Sequence, residues 1–380
     1  MKVTVAIDSY KGSLSTFEAG EAASLGIKLA FPDCEIAVRP LADGGEGTVR
    51  AVVSGAGGAL RKVSVSGPLG ERVEAEYGVI EKTATAVIEM SAAAGITLVS
   101  EKEKNPLNTT TFGVGEIISD AISLGLRKFI IGIGGSATND GGVGMLEALG
   151  FEFLDGDGNQ IERGAKGLKN LKKIETKRAL PALSECEFKI ACDVKNPLCG
   201  DEGCSAIYGP QKGATKEMIR DMDLWLDNYA RLTKEVFVDA DPTYPGAGAA
   251  GGMGFAALAY LGGSLESGIE LVMKETSLEK YINDSDIVVT GEGRLDGQSC
   301  MGKAPIGVAR LAKKHKKPVI AFSGCVTDDA RLTNENGIDA FFPIVRGAVS
   351  LEDAMNTENA AKNLKMTAEQ AFRLVRTFLK

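Results

Sequence analysis

Strand–helix alternation is confined to the two ends of this chain, and that placement limits what it can fold into. Lys2 to Ile7 alternates around Val3, Val5 and Ile7, and the polar loop Asp8-Ser9-Tyr10-Lys11-Gly12-Ser13 follows. Ser15 and Glu18 stand at capping-box spacing before an alanine-rich run to about Ala30, which predicts a helix. Glu35 to Pro40 reads as a second strand, Leu41-Ala42-Asp43-Gly44-Gly45-Glu46-Gly47 as a second glycine loop, and Thr48 to Val53 as a short helix. Two strands and two helices do not close an α/β domain. The missing elements lie at the other end: strand Asp286 to Thr290, a loop to Lys303, a helix from Pro305, strand Pro318 to Phe322, a helix, strand Ala340 to Val345 and a terminal helix. Residues 1–65 and 284–380 are therefore expected to form one discontinuous domain, a parallel sheet with helices on both faces.

Residues 66–283 then form an inserted domain of mixed α/β character. Alternating strands are expected at Val63 to Ser66, Val73 to Val79 and Ala86 to Met90, then a helix near Phe112 to Ser123 and strands at Lys128 to Ile133 and Glu187 to Val194. A long helix follows from about Thr215 to Val236. Pro242 to Leu265 carries no charge, but its glycines and alanines make it too weakly apolar to span a bilayer, and it reads as a glycine-rich loop entering a short packed helix. No internal repeat or low-complexity linker stands out.

The chain has one histidine, His315, set in Lys-Lys-His-Lys-Lys, where a solvated helix end is expected. A Ser-His-Asp triad, an imidazole zinc site and a histidine proton relay are excluded with it. Proton transfer falls to Asp, Glu, Lys, Ser or Tyr. The formal charge of −8, with no basic stripe and no interleaved aromatics, argues against nucleic acid or an anionic membrane as a partner. Seven cysteines without a C-x-x-C pair signal neither a disulfide framework nor a zinc site, and a reducing cytoplasm is the expected compartment.

Glycine is over-represented, at 47 of 380 residues. Glycine turns between a strand and a helix let backbone N–H groups approach an oxyanion. Gly297 to Lys303 fits G-x-x-x-x-G-K, but Ala304 stands where a P-loop needs a hydroxyl for magnesium, so a standard P-loop is not expected. Gly132-Ile133-Gly134-Gly135-Ser136-Ala137 fits the dinucleotide fingerprint after a strand. Thr138-Asn139-Asp140-Gly141-Gly142 would break the helix that the fingerprint requires, and suits hydrogen bonding or a hydrated metal better. Three carboxylates sit where strands end, Asp8, Asp193 and Glu292, able to hold magnesium or take a proton from a hydroxyl. Carboxylates, lysines and oxyanion loops without histidine describe phosphoryl transfer.

Six motifs carry a resemblance that runs from end to end. Ala6-Ile7-Asp8-Ser9-Tyr10-Lys11-Gly12-Ser13-Leu14-Ser15, Pro40 to Thr48, Gly134 to Gly142, Asn196-Pro197-Leu198-Cys199-Gly200, Tyr208 to Ala214, and Thr290 to Asp296 with Gly302-Lys303 resemble, in order, the type I glycerate kinases. The resemblance implies ATP-dependent, magnesium-assisted phosphorylation of D-glycerate in cytoplasmic glyoxylate or sugar-acid metabolism, with 2-phosphoglycerate as the usual bacterial product. It also implies two α/β domains, one Rossmann-like (flavodoxin-like) and discontinuous, the other inserted, with the active site in the cleft between them. Homo-oligomer formation is left open. The family commonly has Pro and Phe where this chain has Ile7 and Tyr10, and Tyr10 could add a hydroxyl to the site.

Carried over by motif position, the candidates are Asp8, Ser9, Lys11, Ser13, Asp43, Gly44, Gly45, Glu46, Gly134, Gly135, Ser136, Asn139, Asp140, Asp193, Asn196, Glu292, Asp296 and Lys303. Asp193 is the first choice for the base and Asp8 the second. Lys11 and Lys303 are expected to offset phosphoryl and carboxylate charge, the backbone of Gly134 and Gly135 to hold ATP phosphates, and Asp296 or Asp43 to hold magnesium. The alternatives are 3-phosphoglycerate as product, a kinase of a related hydroxy acid, a nicotinamide-dependent dehydrogenase, and a non-catalytic sensor of small anions.

Overall fold

The computed structural model describes residues 1–301 and 303–378, so Gly302 of the glycine-lysine match and the last two residues of the expected first domain lie outside the described residues. The chain forms two compact units: residues 1–43, 50–56 and from 269 onward in one, 44–49 and 57–268 in the other.

The first unit begins with β1 (Lys2–Ile7) and β2 (Glu35–Val38). The second carries β3 (Ala59–Ser66), β4 (Arg72–Ile80), β5 (Thr85–Glu89), β6 (Lys128–Gly132), β7 (Glu152–Leu154), β8 (Lys173–Glu175), β9 (Glu187–Ala191) and β10 (Ser264–Glu266). The chain then returns to the first unit with β11 (Ile287–Leu295), β12 (Val319–Val326) and β13 (Ala340–Pro343).

In the first unit the five strands pair in parallel in the order β13-β12-β11-β1-β2. The two-residue period of a strand sorts their side chains. Val3, Val5, Ile7, Val289, Ile320 and Phe322 are buried against the helices Thr16–Ala30 and Thr357–Phe378, whereas Ala6, Val288, Val319 and Ala321 are buried against Leu278–Asp284 and Ala304–Lys314. Burying a large aliphatic side chain contributes about 1.5–3 kcal/mol, so both faces hold the sheet. The Ser15 capping box is formed in full. From β1 the chain proceeds outward to β2, and from β11 outward to β12 and β13. The carboxyl ends of β1 and β11 are thus the point where strand order reverses, which is where open α/β sheets bind ligands.

β11 and β12 run several residues past their expected ends. A Cβ on Gly291 would lie 1.9 Å from the Phe322 carbonyl oxygen and one on Gly324 2.4 Å from that of Gly293. The glycines permit close strand approach there and not a turn. Glu292, expected just past the strand, therefore lies within it.

In the second unit six strands run in the order β10-β9-β6-β5-β4-β3; β3, β4 and β5 are antiparallel, and β5, β6, β9 and β10 parallel. β7 and β8 form a separate antiparallel pair that the sequence reading missed, being only three residues each. Phe129 and Phe188 stack at 4.7 Å between ring centroids across β6 and β9. The uncharged stretch becomes the helix Ala249–Leu261, entered through left-handed Ala250, Gly251 and Gly252. Among the described residues no helix is long and apolar enough to cross a membrane.

Candidate active site

In the first unit the loop after β1 and the middle of β11 line one cavity of about 440 Å³. Asp8, Ser9, Lys11, Ser13, Asp43, Glu292 and Lys303 all contribute to it, so seven of the expected residues are brought together. The loop is tight: Tyr10 N–H donates to the Leu14 carbonyl at 2.7 Å and Ser13 N–H to that of Tyr10 at 2.7 Å. Lys11 Nζ lies 3.1 Å from Asp43 Oδ2. Lys303, the N-cap residue of the helix Ala304–Lys314, lies 3.9 Å from Glu292 Oε2 and 3.7 Å from Asp296 Oδ1. Asp296 also accepts from Ser299 N–H at 3.1 Å and pairs with Arg294 at 3.3 Å. Two cations and an N–H thus surround Asp296, which positions Lys303 at the start of its helix. The Tyr10 hydroxyl is buried and donates to the Phe322 carbonyl at 3.0 Å, so it supports the loop and offers nothing to a ligand.

Asp8 is 9% exposed, and its pKa is pushed up to about 6, chiefly by burial and next by the charge of Asp43; the Ser9 N–H and Lys11 partly oppose this. Glu292 is likewise raised, first by burial, against the opposing Ser299 hydroxyl and Lys303. A carboxyl whose folded pKa lies above its unfolded value favours folding below the unfolded value, and that contribution is lost as pH rises through the folded one. Keeping Asp8 ionised at neutral pH therefore costs about 3 kcal/mol. Asp8→Asn is expected to raise Tm by a few degrees at pH 7.5, with the gain closing as pH falls from 6 towards 4, while activity falls. Thermal melts across that range check it; a variant less stable at pH 7.5 would show that Asp8 carries no such cost.

In the second unit three loops at the carboxyl ends of parallel strands pack backbone on backbone. A Cβ on Gly132 would lie 2.4 Å from the Gly44 carbonyl oxygen, one on Gly134 3.0 Å from Gly45 Cα, and one on Gly44 2.7 Å from Ala191 Cβ. Only glycine fits these approaches. Gly134 and Gly135 stay exposed, with Gly135 in the left-handed region at φ +72°. Glu46 is exposed on the loop after Gly45. Asp193, two residues past β9, is exposed and accepts from Gly268 N–H at 3.2 Å. Asn196 is half-buried, donating to the Glu202 carbonyl and accepting from the Tyr208 hydroxyl at 2.6 Å.

Asn139 and Asp140 are not presented to a ligand. Asn139 is fully buried and donates to Ser205 Oγ at 2.8 Å. Asp140 accepts from Thr111 N–H and Oγ1 at 2.8 and 2.9 Å and from Gly142 and Gly144 N–H. Their expected binding role is thus corrected to holding the loop from beneath. Gly141 and Gly142 are left-handed and the next helix begins only at Val143, so the long helix of a dinucleotide fingerprint is absent here and the dehydrogenase alternative loses its support.

The residue that sequence reasoning missed is Lys212. It is 2% exposed, and its Nζ donates to Ser136 Oγ at 3.0 Å and to the Thr138 carbonyl. Burial lowers its pKa to about 8, against the opposing influence of Cys204 and Asp140. The signal was a lysine in Gly209-Pro210-Gln211-Lys212-Gly213, a turn that fixes its direction. His315 lies outside the site, beside Glu279 at 2.9 Å.

Fold and site together define an α/β protein that gathers carboxylates and lysines on loops at the carboxyl ends of parallel strands. The model of the glycerate kinase family matches residues 3–376. The chain is 47% identical over 372 residues to glycerate 2-kinase of Escherichia coli (strain K12), covering 97% of this chain and 98% of that one. It is 45% identical over 368 residues to glycerate kinase of Bacillus subtilis (strain 168), covering 97% and 96%. A crystal structure named as glycerate kinase 2 from Salmonella typhimurium LT2 superposes with a TM-score of 0.91 at 45% identity, covering 100% of this chain and 99% of that one. The chain belongs to the glycerate kinase family.

Proposed function

We propose that this protein transfers the γ-phosphoryl group of ATP to the 2-hydroxyl of D-glycerate, giving 2-phosphoglycerate and ADP, in the cytoplasm and in the breakdown of glyoxylate or sugar acids. The observation that carries the reading is the convergence of Asp8, Lys11, Asp43, Glu292 and Lys303 on one cavity at the strand-order reversal of a parallel sheet. Family membership along nearly the whole chain supports it.

Phosphoryl transfer needs positioning and charge stabilisation more than covalent chemistry. Lys11 and Lys303 offset charge on the phosphoryl oxygens, and Ser9 and Ser13 donate to them. Gly134, Gly135 and Ser136 receive a further anionic oxygen, and Asp193 takes the proton from the attacking hydroxyl. Asp8 and Asp43 fit magnesium: Asp43 raises the pKa of Asp8, a repulsion that a hard divalent cation would relieve. Among the described residues no group of three or more candidate ligands is present, and magnesium requires only one or two carboxylates beside water and phosphate oxygens. When bound, it would supply charge neutralisation at those oxygens.

A coupled ADP-release assay over a panel of small hydroxy acids, with product position read by phosphorus NMR, tests the reading. ADP release is expected with D-glycerate and a phosphorus signal at carbon 2. No release with any acid would overturn kinase function, and a signal at carbon 3 would overturn the regiochemistry.

A further inference from the structure

Part of the lining of the first unit's cavity is apolar and unused by the phosphoryl chemistry. Beside Lys11 and Ser13 the wall includes Ile344, Val345, Leu351, Ala354, Met355 and Ala360. Leu351 and Met355 stand four residues apart on the short helix Leu351–Met355, hence on one face, and are 79% and 38% exposed. Ligand pockets are lined mainly by apolar side chains with a few placed polar groups, which is the make-up of this wall and the charged residues beside it. The patch is fixed to the loop after β1: a Cβ on Gly12 would lie 2.9 Å from Met355 Cε, and Thr357 Oγ1 donates to the Ser13 carbonyl at 2.9 Å.

The two substrates differ in what they could offer such a wall. D-glycerate has three carbons bearing two hydroxyls and a carboxylate, presents no apolar face, and fills only a fraction of 440 Å³. A nucleoside triphosphate has a flat, largely apolar base at one end and a polyanion at the other, and pockets of this size accommodate ligands of that class. Resting on the kinase reading above, we propose that the patch formed by Leu351, Ala354 and Met355 seats the base of ATP, with its triphosphate directed to Lys11 and Ser13. Asn363 also lines the cavity; its Oδ1 accepts from Arg346 Nε at 3.1 Å and Nη2 at 2.9 Å, which leaves its amide N–H groups for a ring nitrogen of the base.

The test compares binding of ATP with binding of inorganic tripolyphosphate, both with magnesium, by titration calorimetry on Leu351→Gln and Met355→Gln. Both substitutions are uncharged and tolerated by a helix, and both positions face solvent, so the fold is retained and melts verify it. Each variant is expected to weaken ATP by about tenfold, the loss of one buried aliphatic contact, with tripolyphosphate held to within about twofold. ATP binding unchanged from wild type, or both ligands weakened alike, overturns the proposal. The two readings fail separately. Wild-type protein that phosphorylates glycerate while Leu351→Gln binds ATP normally removes the base site alone; variants that lose ATP selectively in a protein that releases no ADP with any hydroxy acid remove the glycerate reading and leave the base site standing.

Discussion

Asp193→Asn is expected to lower kcat by about a hundredfold or more, the usual magnitude for loss of a positioned general base. The substitution is close to isosteric, and the amide oxygen of asparagine still accepts the Gly268 N–H that holds Asp193 at the end of β9. The exposure of the side chain removes any burial penalty, so Tm should hold. What asparagine lacks at neutral pH is the ability to take a proton. A fall in kcat with a nearly constant KM for D-glycerate is therefore the signature, read from steady-state kinetics. Near wild-type turnover would remove Asp193 from the role.

Lys212→Met is expected to separate activity from stability in the opposite way to most core substitutions. An ammonium group buried without a paired carboxylate at hydrogen-bond distance is costly to hold, and a methionine of similar shape avoids that cost. Little or no loss of Tm should follow. Activity should nevertheless fall by about a hundredfold, the scale of losing one aimed donor in an oxyanion site. The reason lies in proton direction: Lys212 donates to Ser136 Oγ, so the Ser136 hydroxyl has its own proton to present to a bound anion. Without the lysine, Ser136 is free to turn its proton inward to the Thr138 carbonyl. Lys212→Arg keeps the charge and should recover part of the activity, and the alkaline limb of the wild-type profile, near the lysine's lowered pKa of about 8, should vanish in Lys212→Met. A variant that loses Tm and activity together with an unchanged pH profile would make Lys212 a purely structural residue.

The parallel sheet was legible because its strands alternate cleanly and its helices carry caps and apolar stripes; Val3, Val5 and Ile7 face one layer while Ala6 faces the other, as a two-residue period requires. Asp8 and Glu292 were legible as carboxylates close to expected strand ends, and Lys11 and Asp43 only through the motifs that carry the family resemblance. Where the reading departed from the structure, a tertiary contact had overruled a local tendency. Gly291 and Gly324 lay beyond the expected strand ends, and a facing strand made them strand residues. Asn139 and Asp140 look from their polarity like ligands, but polarity does not say which way a side chain points. Four donors from Thr111, Gly142 and Gly144 claim Asp140 from within the fold, and two of them come from a residue nearly thirty positions away. Lys212 was hidden for the complementary reason, since a lysine is expected at the surface and nothing local announces its burial.

The position of β1 bears on how the protein is made. It is an interior strand of its sheet, pairing on one side with β2 soon after and on the other with β11, where Val3 meets Ile287. During synthesis β1 emerges before the other strands of its sheet, and its second edge stays open until more than two hundred further residues have been translated. At about 5–20 residues per second, that interval is on the order of tens of seconds. The second unit, whose strands are all drawn from the intervening sequence, is complete before the first can close. The nascent chain therefore carries an apolar strand with one open edge, Val3 to Ile7, through most of its translation, and shielding that edge from premature association falls to the translation machinery and its chaperones.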